Sequence, residues 1–228
     1  MKRIYIACLV LFLSCSREKT LFLPETTYSE IYTIDDISPA YLFYNEKLQD
    51  SIELNRSSLI STTNWLVSVD KRLALKQAIP KIVFLQEKKR NMKMHKNENA
   101  KNYYTCNNIQ VKNLGFIEFT NIVYHFESSF DYIKKISHLP KNPIVHLRFE
   151  SSDKIEIIGF SKDFVDMNSN KDSLKIKIEN LIKDESNTIT FELNFNKNLT
   201  FQDYISFESL VRELKSNQIS IDPNEFIY

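Results

Sequence analysis

The chain has 228 residues, with 30 Lys and Arg against 29 Asp and Glu and an apolar content of 43%. So even a balance gives no electrostatic case for a nucleic-acid partner. Only two glycines occur, Gly115 and Gly159, which excludes Gly-rich phosphate loops, dinucleotide fingerprints and Gly-flanked nucleophile elbows.

Met1-Lys2-Arg3 places two positive charges ahead of an apolar run from Ile4 to Leu13. A run of about ten residues fits the core of a secretory signal, and it is too short for a bilayer core, which needs roughly 20. It ends in Phe12-Leu13-Ser14-Cys15. This stretch resembles the lipobox of bacterial lipoproteins, with Phe12 standing where Leu is more usual. The resemblance implies that residues 1–14 are a removable signal peptide and that Cys15 carries a lipid, so that the membrane is a partner. Ser16 follows, rather than the Asp that retains such proteins at the inner membrane, so the expected location is the outer membrane, facing the periplasm. Loss of Lys2 and Arg3 would leave 28 basic against 29 acidic side chains. Cys106 would be the one free thiol, with no disulfide framework.

Residues 15–40, with Pro24, Pro39 and the Asp35-Asp36 pair, read as a tether and linker. Tyr41–Tyr44 and Ser51–Leu54 have strand character, and Leu59–Thr63 reads as a short helix or connector. Trp65–Val69 reads as a buried strand, ended by a turn at Asp70-Lys71-Arg72. Ala74–Lys89 has apolar residues at helical spacing, with Pro80 inside. Residues 87–113 are polar and read as an exposed helix end and loop. Leu114–Phe119 reads as a strand and Phe126–Ile136 as a short helix. The boundary between halves is expected within His138–Pro143. Ile144–Phe149 and Lys154–Gly159 form a hairpin, and a helix is expected from about Leu174 to Lys183. Ile189, Phe191, Leu193 and Phe195 alternate along a strand. Asn196-Lys197-Asn198 turns, Thr200 caps a helix reaching Lys215, and Ile219–Ile221 closes the chain before Asp222-Pro223.

Two of these stretches repeat. With an offset of 126 positions, Trp65 falls on Phe191, Val67 on Leu193, Val69 on Phe195, Asp70 on Asn196, Lys71 on Lys197, Leu73 on Leu199, Leu75 on Phe201 and Ile79 on Ile205. Each copy is a strand, an Asx-Lys turn and an amphipathic helix. The expected fold is therefore α+β, in two similar small units at 41–139 and 144–228, each a short sheet on one or two helices. The unit resembles the periplasmic domain of the ExbD/TolR family, through Val67–Leu75 and Leu193–Phe201. The resemblance implies that fold and a scaffolding role in the envelope. That family's transmembrane helix, with its essential Asp, has no counterpart here, so its proton coupling does not carry over.

No catalytic, cofactor or metal residue is assigned. Met92, Met94 and His95 lie among lysines, and His95 with Glu98 lacks a second His, so a solvated loop accounts for them. His125, His138 and His146 are scattered, Ser57-Ser58 has no paired His, and Trp65 reads as core. Asp35-Asp36 and Asp184-Glu185 read as solvated. Lys88-Lys89-Arg90, with Lys93 and Lys96, read as a solvated face, and contact with anionic headgroups near the tether is the alternative. The expected function is a non-catalytic, tethered protein acting by contact with envelope proteins. The alternatives are a hydrolase with a pocket between the units, and a surface protein that binds carbohydrate or peptide.

Overall fold

The computed structural model describes residues 19–29, 31–92, 97–135, 144–160, 163–183, 188–216 and 218–228. Residues 1–14 and Cys15 lie outside these, as do Met94, His95, His138, the 138–143 boundary and Asp184-Glu185. Among the described residues the chain is α+β, with two six-stranded sheets.

The first sheet holds β1 (Glu25–Thr26), β2 (Ile37–Tyr44), β3 (Ile52–Asn55), β4 (Asn64–Val69), β5 (Asn102–Asn108) and β6 (Asn113–Glu118). Helix α1 (Leu75–Arg90) connects β4 to β5. The second sheet holds β7 (Val123–His125), β8 (Ile144–Phe149), β9 (Ile155–Phe160), β10 (Phe164–Ser169), β11 (Ile189–Phe195) and β12 (Ile219–Ile227). Helix α2 (Ser129–Ile133) follows β7, α3 (Lys171–Ile182) precedes β11, and α4 (Phe201–Glu213) joins β11 to β12.

The two sheets share one plan. In the first, β3 pairs antiparallel with β2, which lies parallel to β4, and β4 lies parallel to β5 across α1. In the second, β9 pairs antiparallel with β8, which lies parallel to β11, and β11 lies parallel to β12 across α4. The offset of 126 holds to the residue, since β4 ends at Val69 and β11 at Phe195, while α1 starts at Leu75 and α4 at Phe201. The turns agree as well. Arg72 N donates to Asp70 Oδ1 (3.1 Å) in one copy and Asn198 N to Asn196 Oδ1 (2.9 Å) in the other.

The copies meet at these equivalent places. Ala74 and Thr200 form an antiparallel bridge. Leu75 N donates to Leu199 O (2.9 Å), and in return Phe201 N donates to Leu73 O (2.7 Å). Lys76 N donates to Lys197 O (2.9 Å), and Gln202 N to Lys71 O (3.1 Å). Each bond maps onto its partner by the offset, so a pseudo-two-fold axis passes between the two helix starts. Around it the apolar faces of both sheets and both helices merge into one core, from Ala40 and Trp65 through Tyr104 and Phe149 to Phe201 and Ile227. Phe149 stacks on Phe207 of α4 at 4.3 Å, while Tyr104 of β5 meets Phe201 edge-on at 5.2 Å.

Three expectations are corrected. The stretch read as a linker is built into the fold: Glu25–Thr26 pairs with β5, and β2 begins at Ile37. Within the polar stretch 87–113 lies β5, a strand buried on both faces. Tyr104 and Cys106 face the main core, while Tyr103 packs with Leu66 and Phe116 in a smaller one. Such a strand carries no alternating pattern to read. Finally, β12 runs on through Pro223. The register jumps so that Ile221 pairs with Phe191 and Glu225 with Leu193, and the residues between bulge out of the ladder, where a missing N–H is harmless. β7, which precedes the expected boundary, pairs with β12 in the second sheet.

Gly159 sits on β9 with φ 155°, and a Cβ there would lie 2.3 Å from Ile144 O and 2.9 Å from Val145 Cα. Gly159→Ala is expected to destabilise the protein by about 2–3 kcal/mol, through positive-φ strain and backbone overlap. A lowered urea midpoint with unchanged slope would register this, and an unchanged midpoint would refute it.

Candidate functional site

Helices α1 and α4 both reach the connection between β6 and β7, and they grip it with equivalent residues. Gln86 Nε2 of α1 donates to Phe119 O (3.0 Å) and Ile122 O (3.1 Å). Arg212 of α4, 126 positions later, donates through Nη2 to Glu118 O (3.0 Å). Thr120 and Asn121 project between two clefts. One, of about 310 Å³, has Glu208, Arg212, Lys215 and Asp222 on its walls. The other, of about 230 Å³, has Gln86, Lys89 and Asn102. Lys89 and Lys215 are again equivalent positions. The site is therefore a pair of polar clefts at the junction of the two halves, astride one loop.

In the smaller cleft Lys89 is no headgroup contact of the kind its sequence neighbours suggested. Its side chain is buried, with Nζ donating to Lys101 O (2.7 Å) and Asn102 Oδ1 (3.1 Å), and it lies over the Trp65 ring. Burial lowers its pKa to about 8.

The larger cleft is floored by a buried carboxyl pair. Glu208 Oε2 accepts from Arg212 Nε (2.9 Å), and Glu225 Oε2 accepts from Tyr204 OH (2.8 Å). Burial first, and then the charge of Glu208, hold the Glu225 carboxyl well above the usual carboxylate range. Glu225 is thereby held toward its protonated form. Glu208 Oε1 is buried and has no N–H or hydroxyl partner among the described residues. The proton on its neighbour Glu225 is the donor this pair supplies for itself. Behind it runs a chain of hydroxyls. Tyr204 has one hydrogen and gives it to Glu225, so it accepts from Tyr124 (3.0 Å), which in turn accepts from Tyr104 (2.6 Å). Burial raises all three phenols well above their ordinary value. Tyr104 pairs with Val67, and Glu225 pairs with Leu193 at the equivalent place. The chain therefore links equivalent positions of the two sheets across the pseudo-axis.

No protein-family model, no curated protein and no solved structure matches this chain.

The residues weighed from sequence fall elsewhere. His146 Nδ1 meets both Glu192 Oε1 (2.7 Å) and Ser129 Oγ (3.1 Å) on the opposite face of the second sheet. Those two partners share one ring nitrogen. A serine triad needs its acid and its nucleophile on different nitrogens, so this cluster binds α2 to the sheet rather than activating Ser129. His125 Nε2 pairs with Asn224 Oδ1 (2.8 Å) and stacks on Phe226. Cys106 is fully buried, and burial pushes its thiol up. Trp65 is core, with Nε1 donating to Ile60 O (2.7 Å). Glu208 was legible in principle. The repeat lays it on Ile82 and Tyr204 on Ala78, so two polar groups occupy positions that are apolar in the other copy.

Proposed function

We propose that this chain is a lipid-tethered protein of the bacterial envelope, anchored through Cys15, which binds a partner protein without transforming it. The observation that carries this is the junction, where two copies of one unit are locked by reciprocal main-chain bonds and present a single clamped loop between polar clefts. A rigid, paired surface of that kind suits scaffolding, the role expected for an ExbD/TolR-like unit. Among the described residues no helix is long and apolar enough to cross a membrane, and Phe12-Leu13-Ser14-Cys15 supplies an anchor instead. A photoreactive side chain at Asn121 should trap an envelope protein in living cells. Arg212→Ala, which releases the Glu118 carbonyl and unpairs Glu208, should lower the yield by several-fold. Absence of any adduct across the two clefts would sink the reading.

A hydrolase is the second reading, because two neighbouring carboxyls in a cleft between the halves, one of them held toward its protonated form by burial, match the residue types of glycoside cleavage. Against it, both carboxyls are almost fully buried and committed to Arg212 and Tyr204. Release of soluble fragments from purified envelope glycan, abolished by Glu208→Gln, would establish the hydrolase and displace the binding reading.

A further inference from the structure

The body has two distinct ends. At one, the helices begin. The Asp70–Arg72 turn leads into α1, and Gln77 Nε2 in the first turn of α1 donates to Asp50 O of the β2–β3 turn (2.8 Å). Lys76 Nζ donates to Asn198 Oδ1 of the second copy's turn (3.0 Å). At the other end lie Asn121 and the two clefts, with the 16 residues of α1 between, about 24 Å at 1.5 Å per residue.

The N-terminal segment is fastened to the first end. Phe22 N donates to Asp70 Oδ2 (3.3 Å), Lys71 N donates to Phe22 O (2.8 Å), and Arg72 stacks between Phe22 and Tyr44. Lys19 is ion-paired with Glu53 of β3, which also accepts from Asn45 Nδ2 (3.0 Å). Lys19 lies four positions after Cys15, a span of at most about 14 Å. On the reading that Cys15 is acylated, which this inference requires, so short a leash leaves the molecule little choice of orientation.

We infer that the end where the helices begin lies on the bilayer, and that the clefts face away from it. The surface there fits a headgroup layer. Phe22 and Leu48 are 46% and 40% exposed, and Lys47, Lys76 and Lys197 are exposed at the same end, interspersed with the exposed Glu46 and Asp50. Apolar tips among cations suit an anionic membrane interface, the side chains entering the headgroup boundary and the ammoniums meeting phosphate. The partner bound at the clefts is then met more than 20 Å from the surface.

The mature chain, purified from membranes and reconstituted in vesicles rich in phosphatidylglycerol, tests this. A single fluorophore is attached at Leu48→Cys or at Asn121→Cys; Cys106 is fully buried and stays unlabelled. Quenching by headgroup-labelled and shallow spin-labelled lipid should be at least threefold stronger at 48 than at 121. Quenching at 48 should weaken in phosphatidylcholine vesicles. Equal or reversed quenching in a chain whose acylation at Cys15 is verified by mass overturns the orientation and leaves the tether standing. A chain that carries no acyl group overturns both.

Discussion

Glu225→Gln is expected to stabilise the protein at pH 8 by on the order of 1–3 kcal/mol and to flatten its pH dependence. Below the ordinary glutamate value of 4.5, Glu225 is protonated in both the folded and unfolded chain, and its contribution is fully present. Above it the unfolded chain ionises while the folded chain still binds the proton. Stability is then lost as pH rises toward the raised folded value, by about 1.4 kcal/mol per pH unit in that window. Gln keeps an acceptor for Tyr204 OH and offers a permanent N–H to Glu208, so it needs no proton. Glu225→Ala removes both and should cost about 3 kcal/mol, through a cavity and two unpaired polar groups. Urea unfolding at pH 5 and pH 8 separates the outcomes. A parent protein more stable at pH 8 than at pH 5, with no change in that slope on Glu225→Gln, would refute the shared-proton pair.

The second large effect concerns the two halves. Expressed separately, 19–139 and 144–228 are both expected to lack cooperative structure. Separation removes the four reciprocal bonds at the pseudo-axis and strips β7 from its pairing with β12. It also uncovers Tyr104, Phe201 and Tyr204, each fully buried in the whole chain. Exposing three such aromatics forfeits roughly 6 kcal/mol, comparable with the whole stability of an ordinary domain. The intact chain should unfold in one transition, with Trp65 fluorescence reporting the first half and far-UV circular dichroism the whole. A dispersed amide spectrum from either isolated half would contradict this.

The repeat was the most legible feature of the sequence, because it rests on local chemistry. An Asx turn, an apolar residue at 73 or 199, and an N3 side chain that bonds back to the residue before the helix all recur. Gln77 Oε1 accepts from Ala74 N (2.8 Å), and Asp203 Oδ2 from Thr200 N (3.2 Å). β5 was hidden for the opposite reason. Its Asn-Tyr-Tyr-Thr-Cys-Asn-Asn sequence is buried by neighbours on both faces, and only tertiary context makes it a strand. The junction was hidden too. Tyr204 and Glu208 share one face of α4 at i, i+4, as an exposed amphipathic stripe would. Their partners, Tyr124 and Glu225, come from β7 and β12, and nothing local announces the meeting.

Covalent fusion of the copies has a consequence for what the junction is free to become. A homodimer of one unit would carry every substitution twice, so a glutamate at the α4 position would bury two such carboxylates about the axis. Within one polypeptide the duplicates diverge separately. Ile82 is apolar where the other copy has Glu208, and Gln86 is neutral where the other copy has the charged Arg212. The molecule keeps the stiffness of a symmetric pair yet presents two unlike sides, so that the partner proposed above would be engaged in one orientation only.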